Sequence, residues 1–375
     1  MPANRPFLYV ASEDQAFVLH RLPMARAARA LGFDVHVATG VTSYGDAIVR
    51  EGFTLHALPY RRGARSPLSS LNAMLSLRRL YRRLRPAIIH HSGLQACILG
   101  GLAARGTAAK QVNALTGLGY TFTSDNASTL RRIVVPLLRS VLTHPNSTPL
   151  VQNPDDRNAL IALGVDRARI VVIPGSGVDT DKLKPMKEPE GPITVGFAGR
   201  LLTDKGIRAL VEAHRIMRRS GRDIRLLIAG EPDPANPASV TIDEVNAWTR
   251  EPGITWLGQI PDIQTLWQRS HIAALPSHRE GLPKSLLEAA ACGRPVVATD
   301  APGCREVSID GVTGFRVPIE DAAALAAAIT RLADDPALRA QFGAAARRLV
   351  EERFSVAIIG DHITELYRGL AAPVV

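Results

Sequence analysis

Glu280 and Glu288 stand eight residues apart in a stretch that reads Ser277-His278-Arg279-Glu280-Gly281-Leu282-Pro283-Lys284-Ser285-Leu286-Leu287-Glu288. Gly281 and Pro283 suit a tight turn opening a helix, with Pro near its first position. A helix beginning there presents unbonded backbone N–H groups, which favour an anion. Glu280 then precedes the helix and Glu288 lies roughly two turns along it. With 15 Glu in 375 residues a pair at this spacing is common by chance, so its meaning depends on its surroundings. A second stretch, Gly199-Arg200-Leu201-Leu202-Thr203-Asp204-Lys205-Gly206, combines two glycines with two cations. Gly199 permits close approach of a ligand, Arg200 offers a forked donor and Lys205 a point charge. Such a turn running into a helix suits a diphosphate. The competing reading is a surface turn with two ordinary cations.

The first half of the chain offers acid–base groups at Glu13, Asp14, His20 and His91. For each, a capping or packing role competes with a chemical one. Asp179-Thr180-Asp181 has the Asp-x-Asp spacing that elsewhere holds a divalent cation. Here it follows Gly175-Ser176-Gly177-Val178, where Asp and Thr suit a helix cap, and no metal role is expected. Cys97, Cys292 and Cys304 lack metal-ligand spacing and form no disulfide framework.

These residues need a scaffold. Strands are expected at 7–11, 34–39, 54–59, 87–91, 111–115, 150–153 and 170–174, with helical periodicity between them, as at 20–31 and 68–84. Alternation of that kind predicts an α/β fold with a parallel sheet covered on both faces. The Pro-rich, charged stretch 184–192 reads as a linker. The pattern then restarts, with strands at 193–198, 224–229, 254–257, 272–275 and 296–299 and helices at 206–219, 322–333, 336–352 and 356–370. The expectation is two Rossmann-like, doubly wound domains, 1–185 and 186–355, with a helix at about 356–372 returning to the first. A ligand cleft is expected between them, facing the carboxyl ends of both sheets. A nicotinamide dehydrogenase is excluded because the first strand runs into Ser12-Glu13-Asp14-Gln15-Ala16-Phe17 without a glycine.

Composition bounds the rest. Hydrophobic residues at 46% and charged residues at 21% describe a globular chain. No apolar run approaches the ~18 residues that span a bilayer. The chain passes from Met1 directly to an apolar strand, without a charged-then-apolar leader, so a cytoplasmic, reduced protein is expected. The net charge of +10 is uneven: residues 1–185 hold 23 basic and 11 acidic side chains, and the remainder 22 and 24. Eight Arg and no acid fall within 61–85, together with Leu68, Leu71, Leu75, Leu77, Leu80 and Leu84. A second basic, aliphatic stretch spans 131–139. Such surfaces suit an anionic membrane, although a solvated helix face would read the same way. Aromatics at 5% offer no base-stacking cluster, so nucleic acid is not an expected partner.

The pair Glu280/Glu288 around Gly281-Leu282-Pro283 resembles the Glu-x7-Glu motif of the retaining GT-B glycosyltransferases of family 4, group 1. Gly199–Gly206 resembles that family's Gly-Arg-Leu-x-x-x-Lys-Gly turn, and the similarity runs over nearly the whole chain. The segments RPAIIHH, NALTGLGYTFTS, QNPDDRNAL and GSGVD are similar to the branch that builds lipid-linked surface polysaccharides. The resemblance implies a nucleotide-sugar donor, commonly UDP-activated and often N-acetylated, with a polyprenyl-diphosphate sugar as acceptor and no cofactor. It places Gly199, Arg200, Lys205, Glu280, Gly281, Leu282, Pro283, Lys284 and Glu288 on the donor side. Glu280 would contact the transferred sugar near its anomeric carbon, and Glu288 the ribose hydroxyls. Retention would follow same-face attack, the leaving phosphate taking the acceptor's proton. Two departures from the wider family, a glycine-free first loop and Thr116-Gly117-Leu118-Gly119-Tyr120 where many members carry His, leave the acceptor-side group open among Glu13, Asp14, His20, His91, Gly117 and Gly119. A sugar-nucleotide epimerase of the same fold is the alternative enzyme, and a non-enzymatic module that binds anionic lipid or nucleic acid is the alternative outside catalysis.

Overall fold

The computed structural model describes residues 4–60, 67–116 and 128–372. The chain divides into two compact units: Met1–Ser176 with Ile359–Val375, and Gly177–Ile358.

In the first unit, strands β1 (Pro6–Glu13), β2 (Asp34–Gly40), β3 (Thr54–Ala57), β4 (Ile88–Ser92), β5 (Lys110–Ala114), β6 (Ser147–Val151) and β7 (Val171–Val172) form one sheet. Its order is β3-β2-β1-β4-β5-β6-β7, and every pairing is parallel. The strand order reverses between β1 and β4. Alternation along β1 explains why both faces are covered: Phe7, Tyr9 and Ala11 enter one apolar cluster, Leu8 and Val10 the other. The last helix, Val356–Ala371, supplies Ile359, Ile363 and Tyr367 to the first of these clusters. Their four-residue spacing places them on one face of that helix. The Tyr367 hydroxyl meets those of Tyr9 at 3.1 Å and the His90 imidazole at 2.7 Å, fixing the C-terminal helix by polar contacts as well as apolar ones.

The second unit repeats the plan with β8 (Thr194–Ala198), β9 (Arg225–Ala229), β10 (Ile254–Gly258), β11 (Ile272–Leu275), β12 (Val296–Thr299) and β13 (Gly314–Val317). The order is β10-β9-β8-β11-β12-β13, again all parallel, and it reverses between β8 and β11. Strand β13 was not expected. Its four residues, Gly-Phe-Arg-Val, carry too little apolar pattern to register, and its edge position needs no more.

The Pro-rich stretch 184–192 is not a free linker. Met186 N–H donates to the Cys292 carbonyl at 3.1 Å, and the Arg294 guanidinium donates to the Lys187 carbonyl at 2.9 Å. Glu188 accepts two hydrogen bonds from Arg339, at 2.8 and 3.0 Å. These bonds hold the stretch on the second unit, so the division falls between Ser176 and Gly177 rather than after Pro185. Proline and charge marked irregular backbone correctly, but irregular backbone can be bonded throughout its length.

Candidate functional site

In a doubly wound sheet, ligands gather at the carboxyl ends of the strands where the order reverses. In the second unit this is the end of β8 and β11, where the two chemical stretches of the sequence meet. Beyond β8 the turn 199–206 closes with a short 3-10 turn, Thr203–Lys205, and Gly206 at φ 70° starts the helix Ile207–Arg219. A side chain at Gly206 would overlap the Pro276 carbonyl that ends β11, so glycine is what lets the two loops touch. The His278 N–H donates to the Asp204 carbonyl at 2.8 Å. Lys205 Nζ then forms an ion pair with Glu280 Oε1, and Ser277 Oγ donates to the same oxygen at 2.7 Å. Glu280 N–H donates to the Pro302 carbonyl at 2.9 Å. Both members of the pair are mostly covered, Lys205 to 23% and Glu280 to 11% side-chain exposure, yet neither is sealed from solvent.

Arg200 leaves the same turn in another direction. Its Nη1 donates to Asp233 Oδ2 at 2.8 Å, with Asp233 nearly buried and Arg200 half exposed. After the acidic turn, the helix Lys284–Ala291 begins with Pro283 as its N-cap, and no side chain caps it. Pro283 therefore stands just outside the helix, and Glu288 lies little more than one turn along it, not two. Burial pushes the Glu288 carboxyl up to about 7, against the lowering effect of Lys284 and Lys182; Lys284 Nζ is 3.8 Å away. The structure thus gathers Gly199, Arg200, Lys205, Glu280, Gly281, Leu282, Pro283, Lys284 and Glu288 on the loops after β8 and β11 and the helix that follows. Sequence reasoning missed Ser277 and Asp233, which orient Glu280 and Arg200, and Gly303, where a side chain would overlap the Glu280 and Gly281 carbonyls. Ser277 lay inside the quoted stretch but had no spacing to mark it.

In the first unit the equivalent place is the end of β1 and β4. Asp14 is fully buried there. Its carboxylate accepts from Thr42 N–H at 2.7 Å, Thr42 Oγ1 at 2.6 Å, Tyr44 N–H at 3.0 Å and Gln15 N–H at 2.8 Å. Burial raises its pKa, but these four bonds outweigh that and hold it below the ordinary value. Asp14 therefore ties the loop after β2 to the end of β1. His91 is also fully buried, its Nε2 at 2.9 Å from the Tyr81 hydroxyl and its Nδ1 at 2.8 Å from Asn113 Oδ1. Burial pushes it down to about 4, against the raising effect of Asn113, so it is neutral at pH 7. Both residues are turned inward with their polar atoms bonded within the fold, which is the capping or packing role that competes with a chemical one at these positions. Glu13 ends β1, His20 ends the helix Asp14–His20 on the surface, and Gly117 and Gly119 lie outside the described residues.

Asp179 caps a turn instead of a helix: its Oδ1 accepts from the N–H groups of Asp181 and Lys182 at 3.0 and 2.9 Å. Asp181 is exposed and bridges to Lys184 at 3.2 Å. The two carboxylates are thus engaged separately.

Two parallel sheets with this reversal, the second carrying a cationic and an acidic loop side by side, form the α/β architecture of the GT-B class. The family model described as glycosyl transferases group 1 matches residues 178–349, and the glycosyl transferase 4-like domain matches residues 20–175. Over 353 residues the chain is 24% identical to the capsular polysaccharide biosynthesis glycosyltransferase CapM of Staphylococcus aureus, covering 90% of each. It is 25% identical to the N,N'-diacetylbacillosaminyl-diphospho-undecaprenol alpha-1,3-N-acetylgalactosaminyltransferase of Campylobacter jejuni, covering 85% of this chain and 87% of that one. The structure of HepE from Anabaena with UDP and glucose superposes with a TM-score of 0.79 at 18% identity, covering 97% and 99% of the two chains. The chain belongs to the group 1, family 4 glycosyltransferases.

Proposed function

We propose that this glycosyltransferase is a retaining, metal-independent hexosyltransferase that moves a sugar from a UDP donor, an N-acetylated hexose by preference, to a polyprenyl-diphosphate-linked glycan in surface polysaccharide synthesis. The observation that carries the reading is the Lys205–Glu280–Ser277 contact at the ends of β8 and β11. A departing nucleoside diphosphate leaves about two negative charges, which Arg200, Lys205 and the uncapped start of the helix Lys284–Ala291 can stabilise electrostatically. Glu280 is already engaged by a cation and a hydroxyl. That arrangement favours a carboxylate orienting the sugar over a nucleophile attacking its anomeric carbon, which supports same-face attack. The family supports nucleotide-sugar transfer; the CapM and Campylobacter relatives and the HepE complex support the acceptor and the UDP donor.

The acceptor class implies a membrane surface. On the helix Pro67–Leu84, Leu68, Leu71 and Leu75 are exposed at three- and four-residue spacing, and Arg78 and Arg82 continue the same stripe. Ile133 and Leu137 are exposed on the helix Ser128–Leu142. Among the described residues no helix is long and apolar enough to cross a membrane. Peripheral attachment to the cytoplasmic leaflet fits these surfaces, and flotation with anionic vesicles that is lost in high salt is the expected result.

Mass spectrometry after offering a panel of UDP-sugars with a lipid-linked acceptor tests the function. An α-linked product formed in EDTA supports it. An isomerised donor without transfer would instead make the protein an epimerase.

A further inference from the structure

The first unit holds a cation that no carboxylate among the described residues balances. Arg21 lies between the helices Asp14–His20 and Leu22–Ala30 and is 5% exposed. Its Nε donates to Ser92 Oγ at 3.0 Å, and its Nη1 reaches only the Met24 thioether at 3.6 Å. Nη2 has no acceptor among the described residues. The titratable groups that face it are Tyr9, Tyr367, Cys97 and His90, and none is an anion at neutral pH. Asp14, close in sequence, is spent on the loop after β2. A buried guanidinium without a counter-charge is among the costlier arrangements a fold can keep.

A second observation lies at the residue Arg21 touches. Ser92 ends β4, and Gly93 then starts the ten-residue helix Leu94–Ala103 at φ 93° without any side-chain cap. Among the described residues, nothing lies within 4 Å of where a Cβ on Gly93 would stand. Ser92, Gly93, Leu94 and Gln95 are all partly accessible. Unbonded N–H groups of a helix start, a hydroxyl and an unbalanced guanidinium therefore converge at the point where the first sheet reverses. All are donors or able to donate, and among the described residues no oxyanion meets them.

We infer that Arg21, Ser92 and the start of the helix Leu94–Ala103 bind a phosphoryl group, and that in the reaction this group belongs to the acceptor's diphosphate. The second clause rests on the proposed lipid-linked acceptor; the first stands on the geometry alone. Arg21 is then a binding residue for the acceptor and takes no part in the donor site.

Two measurements test this. With a lipid-diphosphate-linked glycan as acceptor, Arg21→Gln raises the acceptor KM about tenfold or more, as expected for a lost charge-assisted contact. Donor KM and kcat stay within about twofold, and Arg21→Lys recovers part of the loss. An unchanged acceptor KM, or a rise confined to the donor, overturns the proposal. The second measurement uses inorganic pyrophosphate and thermal unfolding of the full chain in a Lys205→Ala background, which weakens the donor site's hold on a diphosphate. Pyrophosphate raises the Tm of Lys205→Ala by clearly more than that of Lys205→Ala/Arg21→Gln. No rise in the single variant, or an equal rise in the double variant, overturns the site. Should Arg21→Gln fail to fold, Lys205→Ala/Ser92→Ala takes its place, and an undiminished pyrophosphate response there has the same consequence. A pyrophosphate response that depends on Arg21 in a protein that uses no lipid-linked acceptor would keep the site and remove the acceptor.

Discussion

The same reversal of strand order occurs twice in this chain, and the residues at the two places are used in opposite ways. After β8 and β11, charged side chains meet one another: Lys205 with Glu280, Arg200 with Asp233. After β1 and β4, the carboxylate of Asp14 is saturated by backbone N–H groups and a threonine, and His91 is locked between Tyr81 and Asn113. An accessible side-chain partner can be exchanged for a ligand by a change of rotamer; a backbone partner, or one as buried as Tyr81 and Asn113, cannot be released without opening the fold around it. Position at the switch point therefore selects candidates, and the kind of partner decides which of them are available for chemistry.

The comparison can be broken most directly at Glu280. Glu280→Gln keeps the shape but loses the charge, and transfer should fall by about a hundredfold or more. Donor binding by calorimetry and the Tm should stay close to wild type. A comparable loss of fold stability would put Glu280 in the same class as Asp14.

Asp14→Ala should do the reverse. Removing an acceptor of four hydrogen bonds leaves buried donors unpaired, at a cost of about 3 kcal/mol. A fall in Tm of roughly 6–12 °C is expected for a unit of this size, followed by circular dichroism. The lowered pKa of Asp14 means its stabilisation is present above the unfolded carboxylate's pKa and disappears as pH falls through the folded one. Asp14→Asn should abolish that part of the acid transition.

Glu288 gives a smaller effect with the opposite sign. Its pKa is raised to about 7, so the unfolded chain ionises first and stability falls as pH climbs from the ordinary carboxylate range to about 7. Glu288→Gln should be more stable than wild type at pH 8 by about 3 kcal/mol and equal to it at pH 4. Ribose hydroxyls would donate to the ionised form, so donor affinity in wild type should rise severalfold between pH 6 and pH 8, and be flat in the variant.

The smallest expected effect is at His91. With its pKa pushed down to about 4, it stays neutral across pH 6–8, and kcat/KM should show no titration that His91→Gln removes. Its protonation in the unfolded chain lowers stability only as pH falls below the ordinary histidine range. A pH–rate limb that vanished in this variant would return His91 to the chemistry.

The two loops of the second unit were legible in the sequence because glycine and proline fix backbone shape and charge fixes chemistry within a dozen contiguous residues. Strands β11 and β12 were legible to the residue, since Ile272–Leu275 and Val296–Thr299 are fully buried runs with breakers on both sides. Asp14 and His91 were not, because burial depends on distant residues: Thr42 and Tyr44 for one, Tyr81 and Asn113 for the other. Arg21 was illegible for the same reason in reverse. Nothing local announces that a cation lacks a counter-charge; only the fold shows which carboxylates have been spent elsewhere.

The helix Val356–Ala371 has a consequence for how the protein is made. Residues 177–358 form one uninterrupted unit and can fold as soon as they emerge. The first unit begins at the N-terminus but cannot bury Tyr9 and His90 against Tyr367 until the last helix has left the ribosome. Synthesis order and completion order are thus inverted: the half that is translated first is finished last, and a chain cut short at Ile358 would carry a complete second unit beside a first unit with an open core.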